Sequence, residues 1–306
     1  MFDNILMVSS YVLILFILIG VGFITNKLKV LSKTTVRDMT NFVLYFVTPC
    51  VLINSYQREF DKTMLAGLGI TLIAAFASFA INILIAHLVI HDKDKIREKT
   101  LIFGSVFPNC GYMSLPLQGA LLGQEGIFYG ATYIAVFQIM VWTYGVFEMS
   151  RDAKMISFKK ILVNPGVLGT LIGLVLFLFS IKLPFVIKEP ISYLAALNTP
   201  VPMVIVGYHL ADASLKIKGK NSYISLILRL VVSPALMLLG FKVFGITGAV
   251  AVACLISASA PTAANTTMFS EKFGGDIQHS ATMVSMATLL SIITIPIFVG
   301  IATTLS

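Results

Sequence analysis

Ten runs of at least 18 predominantly apolar residues, separated by short polar stretches, make up most of this chain: 5–25, 39–56, 63–90, 100–123, 126–147, 162–181, 190–210, 221–241, 246–270 and 279–302. As a helix rising 1.5 Å per residue, each is long enough to cross a hydrocarbon core about 30 Å thick. Inside lipid no water satisfies an open backbone, so runs of this kind are read as helices. The expected fold class is an all-α polytopic membrane protein with ten transmembrane helices. Composition agrees: 57% of the 306 residues are hydrophobic and 12% charged, where a soluble domain carries about 25% charge. Mean hydropathy is +0.92. The cut between the fourth and fifth runs rests on Gly123 to Gly126 alone.

The net charge of +8 does not point to nucleic acid, because the basic residues fall in the short segments between apolar runs. Segments after odd-numbered runs hold sixteen Lys and Arg, those after even-numbered runs hold five, and Arg229 lies within the eighth run. The positive-inside rule then places the odd segments in the cytoplasm and both termini outside an inner (plasma) membrane. The start, MFDNILMVSS, has an acid and no base ahead of its apolar run, with Lys27 and Lys29 after it. That polarity is opposite to a cleaved signal peptide, so 5–25 is expected to stay as the first span.

The fourth run carries Pro108, Asn109, Gly111 and Pro116 in its middle third. Proline removes a donor and clashes with the preceding turn, so two prolines eight residues apart should open the helix. An opened helix survives in a membrane only inside protein or beside a wet cavity, and such breaks mark the substrate sites of secondary transporters. The pattern repeats. Gly22, Pro49 and Pro108 are spaced 27 and 59 apart; Gly173, Pro200 and Pro261 are spaced 27 and 61 apart. Both second-helix prolines follow threonine, at Thr48 and Thr199. Five helices per half is an odd number, so a duplicated half inserts upside down. The expected organisation is a first five-helix repeat at 1–147, a short cytoplasmic linker at 148–161 and an inverted repeat at 162–306. Pro49, Pro108 and Pro200 are expected as break or hinge positions, and the ninth helix is expected to open between Pro261 and Asn265.

Asn109 and Asn265 sit beside the two breaks, where an amide and freed N–H groups at a half-helix N-terminus can meet a carboxylate. Each amide can equally cap its own helix or bond across a packing interface. Arg229 lies nine residues beyond Lys220, about 13 Å into the membrane. A charge at that depth is a functional candidate, here as a counter-ion for an anion, with a tie to backbone carbonyls as the alternative. Gln138 serves a substrate or an interhelical hydrogen bond. Asn164-Pro165 reads as an N-cap followed by proline at the first helical position.

No Asp or Glu lies mid-span; Glu148 and Asp212 are expected at boundaries. Coupling through the substrate's own carboxyl, or transport driven by membrane potential, therefore fits better than sodium symport. Cys50, Cys110 and Cys254 lie at unrelated spacings inside apolar runs, which indicates neither disulfides nor a metal site. No enzyme signature is present, and no cofactor is expected.

Taken together these residues resemble the auxin efflux carrier family, which includes plant auxin exporters and bacterial permeases for malate and related acids. Pro108-Asn109-Cys110-Gly111-Tyr112-Met113-Ser114-Leu115-Pro116 is similar to that family's broken fourth helix. Gln138 through Trp142 to Phe147-Glu148, Asn164-Pro165, Arg229 to Pro234, and Pro261 to Gly274 match further segments across both halves. The resemblance implies two inverted five-helix repeats whose fourth and ninth helices cross at their breaks. It also implies a mobile domain moving against a scaffold of helices 1, 2, 6 and 7, a homodimer in the lipid bilayer, and small organic anions as substrates. Asn109, Gln138 and Asn164 would face the substrate, with Gly111, Pro116, Pro261, Asn265 and Thr266 shaping the crossing. Plant members have a second proline where this chain has Thr266, and a longer central loop, so a bacterial-type mono- or dicarboxylate permease is the nearer match. A channel-like uniporter and an intramembrane enzyme acting on lipid are the alternatives.

Overall fold

The computed structural model describes residues 2–157, 159, 162–213, 215–217 and 219–304. Phe158, Lys160 and Ile161 of the expected linker, and Lys218 of the basic segments, lie outside them. The chain is 82% helix, and among the described residues seven helical segments are long and apolar enough to cross a membrane. In chain order the helices are α1 (Phe2–Lys27), α2 (Lys33–Ser55), α3 (Lys62–Val89), α4 (Lys95–Val106), α5 (110–122) and α6 (124–150). They continue with α7 (Pro165–Leu178), α8 (Phe185–Asp212), α9 (Lys220–Phe244), α10 (Gly248–Ser259), α11 (Asn265–Phe273) and α12 (Ile277–Ala302).

Polar side chains in the short connections fix where these helices start. Asp61, Asp94, Asn164 and Asp276 each accept backbone N–H groups of the following first turn, meeting donors that a helix cannot satisfy internally. From the first turn of α4, Arg97 donates by Nε and Nη2 to Asp92, just before the helix, at 3.0 and 2.8 Å. That guanidinium holds the Asp92 carboxyl well below the usual carboxylate range.

Several boundaries differ from the apolar runs. The second helix begins at Lys33 rather than 39 because Lys33–Phe42 is amphipathic, and hydropathy alone passes over it. The sixth run yields only the 14 residues of α7, since the Asn164 cap and a turn at Phe179 trim both ends. Pro49 does not break α2. The widened turn Val43–Val47 just before it absorbs the ring, and the same device precedes Pro116 and Pro234. At Pro200, by contrast, α8 is interrupted over residues 197–199. Glu148, expected at a boundary in the linker, belongs to α6 and is fully buried, because the helix runs on to Ser150.

Gly123 turns the chain back. Its φ of 62° and ψ of −147° suit glycine alone, and beyond it Gly126 packs on the Gln118 carbonyl and Gly130 on the Gln118 side chain. A straight helix would hold residues 118 and 130 about 18 Å apart, so α5 and α6 form a hairpin.

The interior is largely apolar, and apolar side chains cover the outer surface as well. Ile17, Ile73, Leu88 and Val186 face outward, whereas Thr71, Gln118, Ser225, Ser257 and Arg229 are buried, as expected of a surface facing lipid. Two backbone-close contacts anchor the structure. In α1 and α8, Gly22 lies on Val204 and Gly207 on the Ile19 carbonyl; in α2 and α7, Gly169 lies on Pro49 and Gly173 on Tyr56. The two glycines paired by sequence spacing, Gly22 and Gly173, thus occupy corresponding contacts in the two halves.

A Cβ at Gly207 would press on α1 backbone, while one at Gly20 would meet nothing within 4 Å. Gly207→Ala is therefore expected to destabilise the protein by about 1–3 kcal/mol, read as a lower Tm in detergent. Gly20→Ala should leave Tm undiminished.

Candidate functional site

Two helical paths stop in the interior of the molecule and meet. The α4 path ends at Val106 and Phe107 is extended (φ −97°, ψ 112°). The α10 path ends at Ser259 and Ala260 is extended (φ −61°, ψ 145°). Pro108 and Pro261 have no N–H to offer, so neither helix can continue through them. The two openings lie antiparallel, with Pro108 opposite Thr262. Asn109 N–H donates to the Pro261 carbonyl at 2.7 Å, and Ala263 N–H donates to the Phe107 carbonyl at 2.9 Å. Thr262 Oγ1 adds a bond to the Gly104 carbonyl at 3.0 Å, and Gly104 leaves room for the Thr262 methyl. Each interruption thus supplies the peptide partners that the other lacks.

The two C-terminal ends share one cation. Arg229, in the widened turn of α9, is 0% exposed. Its Nη1 donates to the Val106 carbonyl at 3.0 Å and the Ser105 carbonyl at 3.4 Å, closing α4. Its Nη2 donates to the Ala258 carbonyl of α10 and to Ser233 Oγ at 2.8 Å. Asn82 of α3 also donates to Ser233 Oγ, at 2.9 Å. Helix C-termini carry partial negative charge, so one guanidinium neutralises both. Of the two readings of Arg229, the geometry shows the carbonyl tie.

Helices α5 and α11 begin just beyond the same crossing, and the Thr266 and Thr267 N–H groups donate to the Ala263 and Ala264 carbonyls at 3.0 and 3.1 Å. Asn109 is 5% exposed, and no hydrogen bond of its side-chain amide occurs among the described residues. Gly111 has open space where a Cβ would stand. Asn265 opens α11, and the Thr266 hydroxyl is buried without a partner. Anions favour helix N-termini. Pro108, Asn109, Gly111, Pro261, Asn265 and Thr266 are therefore brought together.

Pro116 is set apart from them, one turn along α5. It borders a cavity of about 370 Å³ between α5–α6 and α2–α8. Its lining is mixed: among apolar residues such as Val51, Leu115 and Ile127 stand the neutral polar side chains of Asn54 in α2, Gln124 in α6, and Ser192, Asn198 and Thr199 in α8. Sequence reasoning missed these five: Asn54 and Gln124 sit near helix ends, and Ser192, Asn198 and Thr199 flank or form the interruption within α8. Thr199-Pro200 was the available hint. Gln138 and Asn164 form a third group at the α6–α7 contact: a Cβ on Gly166 would lie 3.3 Å from Gln138 Nε2 and 3.1 Å from Asn164 Oδ1. Asn164 is occupied as an N-cap, accepting from Gly166 at 2.9 Å and Val167 at 3.3 Å. Among the described residues no group of three His, Cys, Asp or Glu is placed to hold a metal ion.

Comparison with known proteins gives concordant results. The family model described as membrane transport protein matches twice, over residues 7–158 and 149–299. An "Uncharacterized transporter" of Methanocaldococcus jannaschii is 23% identical over 94% of this chain and 96% of its own. A Rhizobium meliloti protein named "Putative malonate transporter" is 24% identical over 94% of this chain and 93% of its own. An "Uncharacterized transporter" of Methanothermobacter thermautotrophicus is 22% identical over 95% and 97% respectively.

Arg229→Met removes the donors to Ser105, Val106 and Ala258 and strands their carbonyls in the interior. At about 1–3 kcal/mol per stranded group, the variant is expected to lose most of its thermal stability. Arg229→Lys, with fewer donors and no fork, should recover part of it, as read by Tm in lipid nanodiscs.

Proposed function

The chain belongs to the auxin efflux carrier family, as the paired matches to the membrane transport protein model establish, and from that premise we propose that it is a secondary carrier of small organic anions. It is a multi-pass membrane transport protein. In this reading α4 with α5 and α10 with α11 each make one interrupted crossing of the bilayer. The chain then crosses ten times as two inverted repeats, with both termini extracytoplasmic. Helices α1, α2, α7 and α8 form the scaffold, and the glycine contacts of α1 with α8 and α2 with α7 give it rigidity. The remaining helices move against it, in a homodimer of the inner membrane.

The observation that carries this reading is the antiparallel pairing of Phe107–Asn109 with Pro261–Ala263. It brings the starts of α5 and α11 to one place, while Arg229 takes both carbonyl ends. A carboxylate at Asn109 could accept from the side-chain NH2 and from the buried Thr266 hydroxyl. The cavity beside Pro116, where carboxamides and hydroxyls stand among apolar residues, lies at the seam between scaffold and moving helices and supports a route to the crossing. Its lining holds no Lys or Arg, so the charge of the anion is met at the helix ends. Malonate is the first substrate to test, from the name of the Rhizobium meliloti relative; malate, lactate and citrate follow.

In proteoliposomes the wild type is expected to exchange labelled malonate or another acid of that panel with saturable kinetics. Asn109→Ala should reduce exchange about 10- to 100-fold, the range for losing a hydrogen bond to a charged group, with Tm unchanged. The transported acid should raise the wild-type Tm in a concentration-dependent way and that of the variant less. Unaltered kinetics in Asn109→Ala would refute the site, and flux that never saturates would identify a channel.

A further inference from the structure

At the end of α6 the protein holds a carboxylate out of water. Glu148 and Arg229 are the only Asp, Glu, Lys or Arg residues in the buried class among the described residues. Glu148 Oε1 accepts from Arg151 Nη2. Its Oε2 accepts from the Tyr144 hydroxyl at 3.3 Å and lies 3.3 Å from His87 Nε2 of α3. His87 Nε2 and Tyr144 Oη are 2.9 Å apart. Two groups, Tyr144 of α6 and His87 of α3, therefore meet around one carboxylate oxygen.

Other charges face this end of α6 from each neighbouring element. Lys99 and Glu98 come from α4, and Lys99 Nζ is held by the carbonyls of Met149 at 2.7 Å and Phe273 at 3.1 Å. Glu98 is paired with Lys95. Helix α11 brings Glu271 and Lys272, whose ammonium lies over the Trp142 ring. The turn after α6 brings Asp152 and Lys154.

An acceptor-only carboxylate beside Tyr144 favours the His87 tautomer that carries its proton on Nε2. A second proton, taken on Nδ1, would leave an imidazolium facing Glu148. Histidine is the side chain whose charge changes near neutrality. The His87 side chain, in the last turn of α3, is 40% exposed, while that of Glu148 is 1% exposed.

Tyr144 links this end to the crossing. Its ring centre lies 6.2 Å from that of Phe107, and the Phe107 carbonyl is the acceptor for Ala263 N–H. The next residue, Gly145, leaves no room for a Cβ beside the Phe103 and Phe107 rings. Both lie in the widened turn Val141–Gly145, a local helix form that recurs at functional sites.

We propose that His87, Tyr144 and Glu148 form a proton-binding site that sets the carrier's rate through the contact of Tyr144 with Phe107. Its ligand is one proton, taken from water at the imidazole and returned to water. The inference rests on the carrier reading for its transport readout only.

The test measures malonate exchange by nanodisc-matched preparations in proteoliposomes from about pH 5 to 8, together with an infrared pH titration of the imidazole and carboxyl bands in nanodiscs. The wild-type rate is expected to change about tenfold over that range. His87→Gln and Glu148→Gln should flatten the profile, and His209→Gln, at a histidine elsewhere, should keep it. A His87→Gln profile that follows the wild type overturns the proposal. If the wild type exchanges no carboxylate, the carrier reading fails and the infrared titration decides alone. Loss of the titrating band in both His87→Gln and Glu148→Gln supports the proton site, and an unchanged titration overturns it.

Discussion

A peptide group without a partner is costly anywhere inside a protein and more so within a membrane. Pro108 and Pro261 each open a helix where water is absent, and either opening alone would strand donors and acceptors. The structure resolves this by placing the openings against each other, antiparallel, so that Asn109 N–H meets the Pro261 carbonyl and Ala263 N–H meets that of Phe107. Much of the rest follows from that constraint. The halves of the chain must bring their interrupted helices to one point, and the neighbouring helices must support the crossing from every side.

The crossing also gathers two helix C-termini, and Arg229 meets both. By binding the carbonyl ends of α4 and α10 it offsets their partial negative charge at the site. Burying a guanidinium without a carboxylate costs far less when several fixed carbonyls receive it. Ser233 holds the fork in place and is itself tied to Asn82, so helices α3 and α9 both contribute to the geometry of the break. The same logic holds at the far end of α6. There Arg151, Tyr144 and His87 surround Glu148, and an acid that hydropathy places at a boundary becomes an interior group.

How much could be read in advance varied with the range of the interaction involved. Prolines within apolar runs act locally, so the openings at Pro108 and Pro261 were legible. Pro49 was not, because a widened turn at Val43–Val47 lets the helix pass through it, and that accommodation depends on neighbouring packing. Gly123 marked a reversal on a single residue, and the backbone there has a conformation that only glycine adopts readily. Asn164 next to Pro165 announced an N-cap for the same reason, since capping is a matter of two or three residues. The cavity-lining Asn54, Gln124 and Asn198 carried no local signature, because what distinguishes them is the company they keep across helices.

The amino-acid sequence by itself determined that the chain is a helical membrane protein with two interrupted helices and a glycine–proline spacing repeated in its halves. Hydrophobic length, missing N–H groups and absent side chains act residue by residue. Tertiary structure alone decided which groups face which: that the two breaks pair with each other, that Arg229 serves carbonyls, and that Glu148 meets His87. Those outcomes depend on contacts spanning, for Phe107 and Ala263, more than half the chain. Desolvation and hydrogen-bond partnership are properties of the assembled interior, and no single segment carries them.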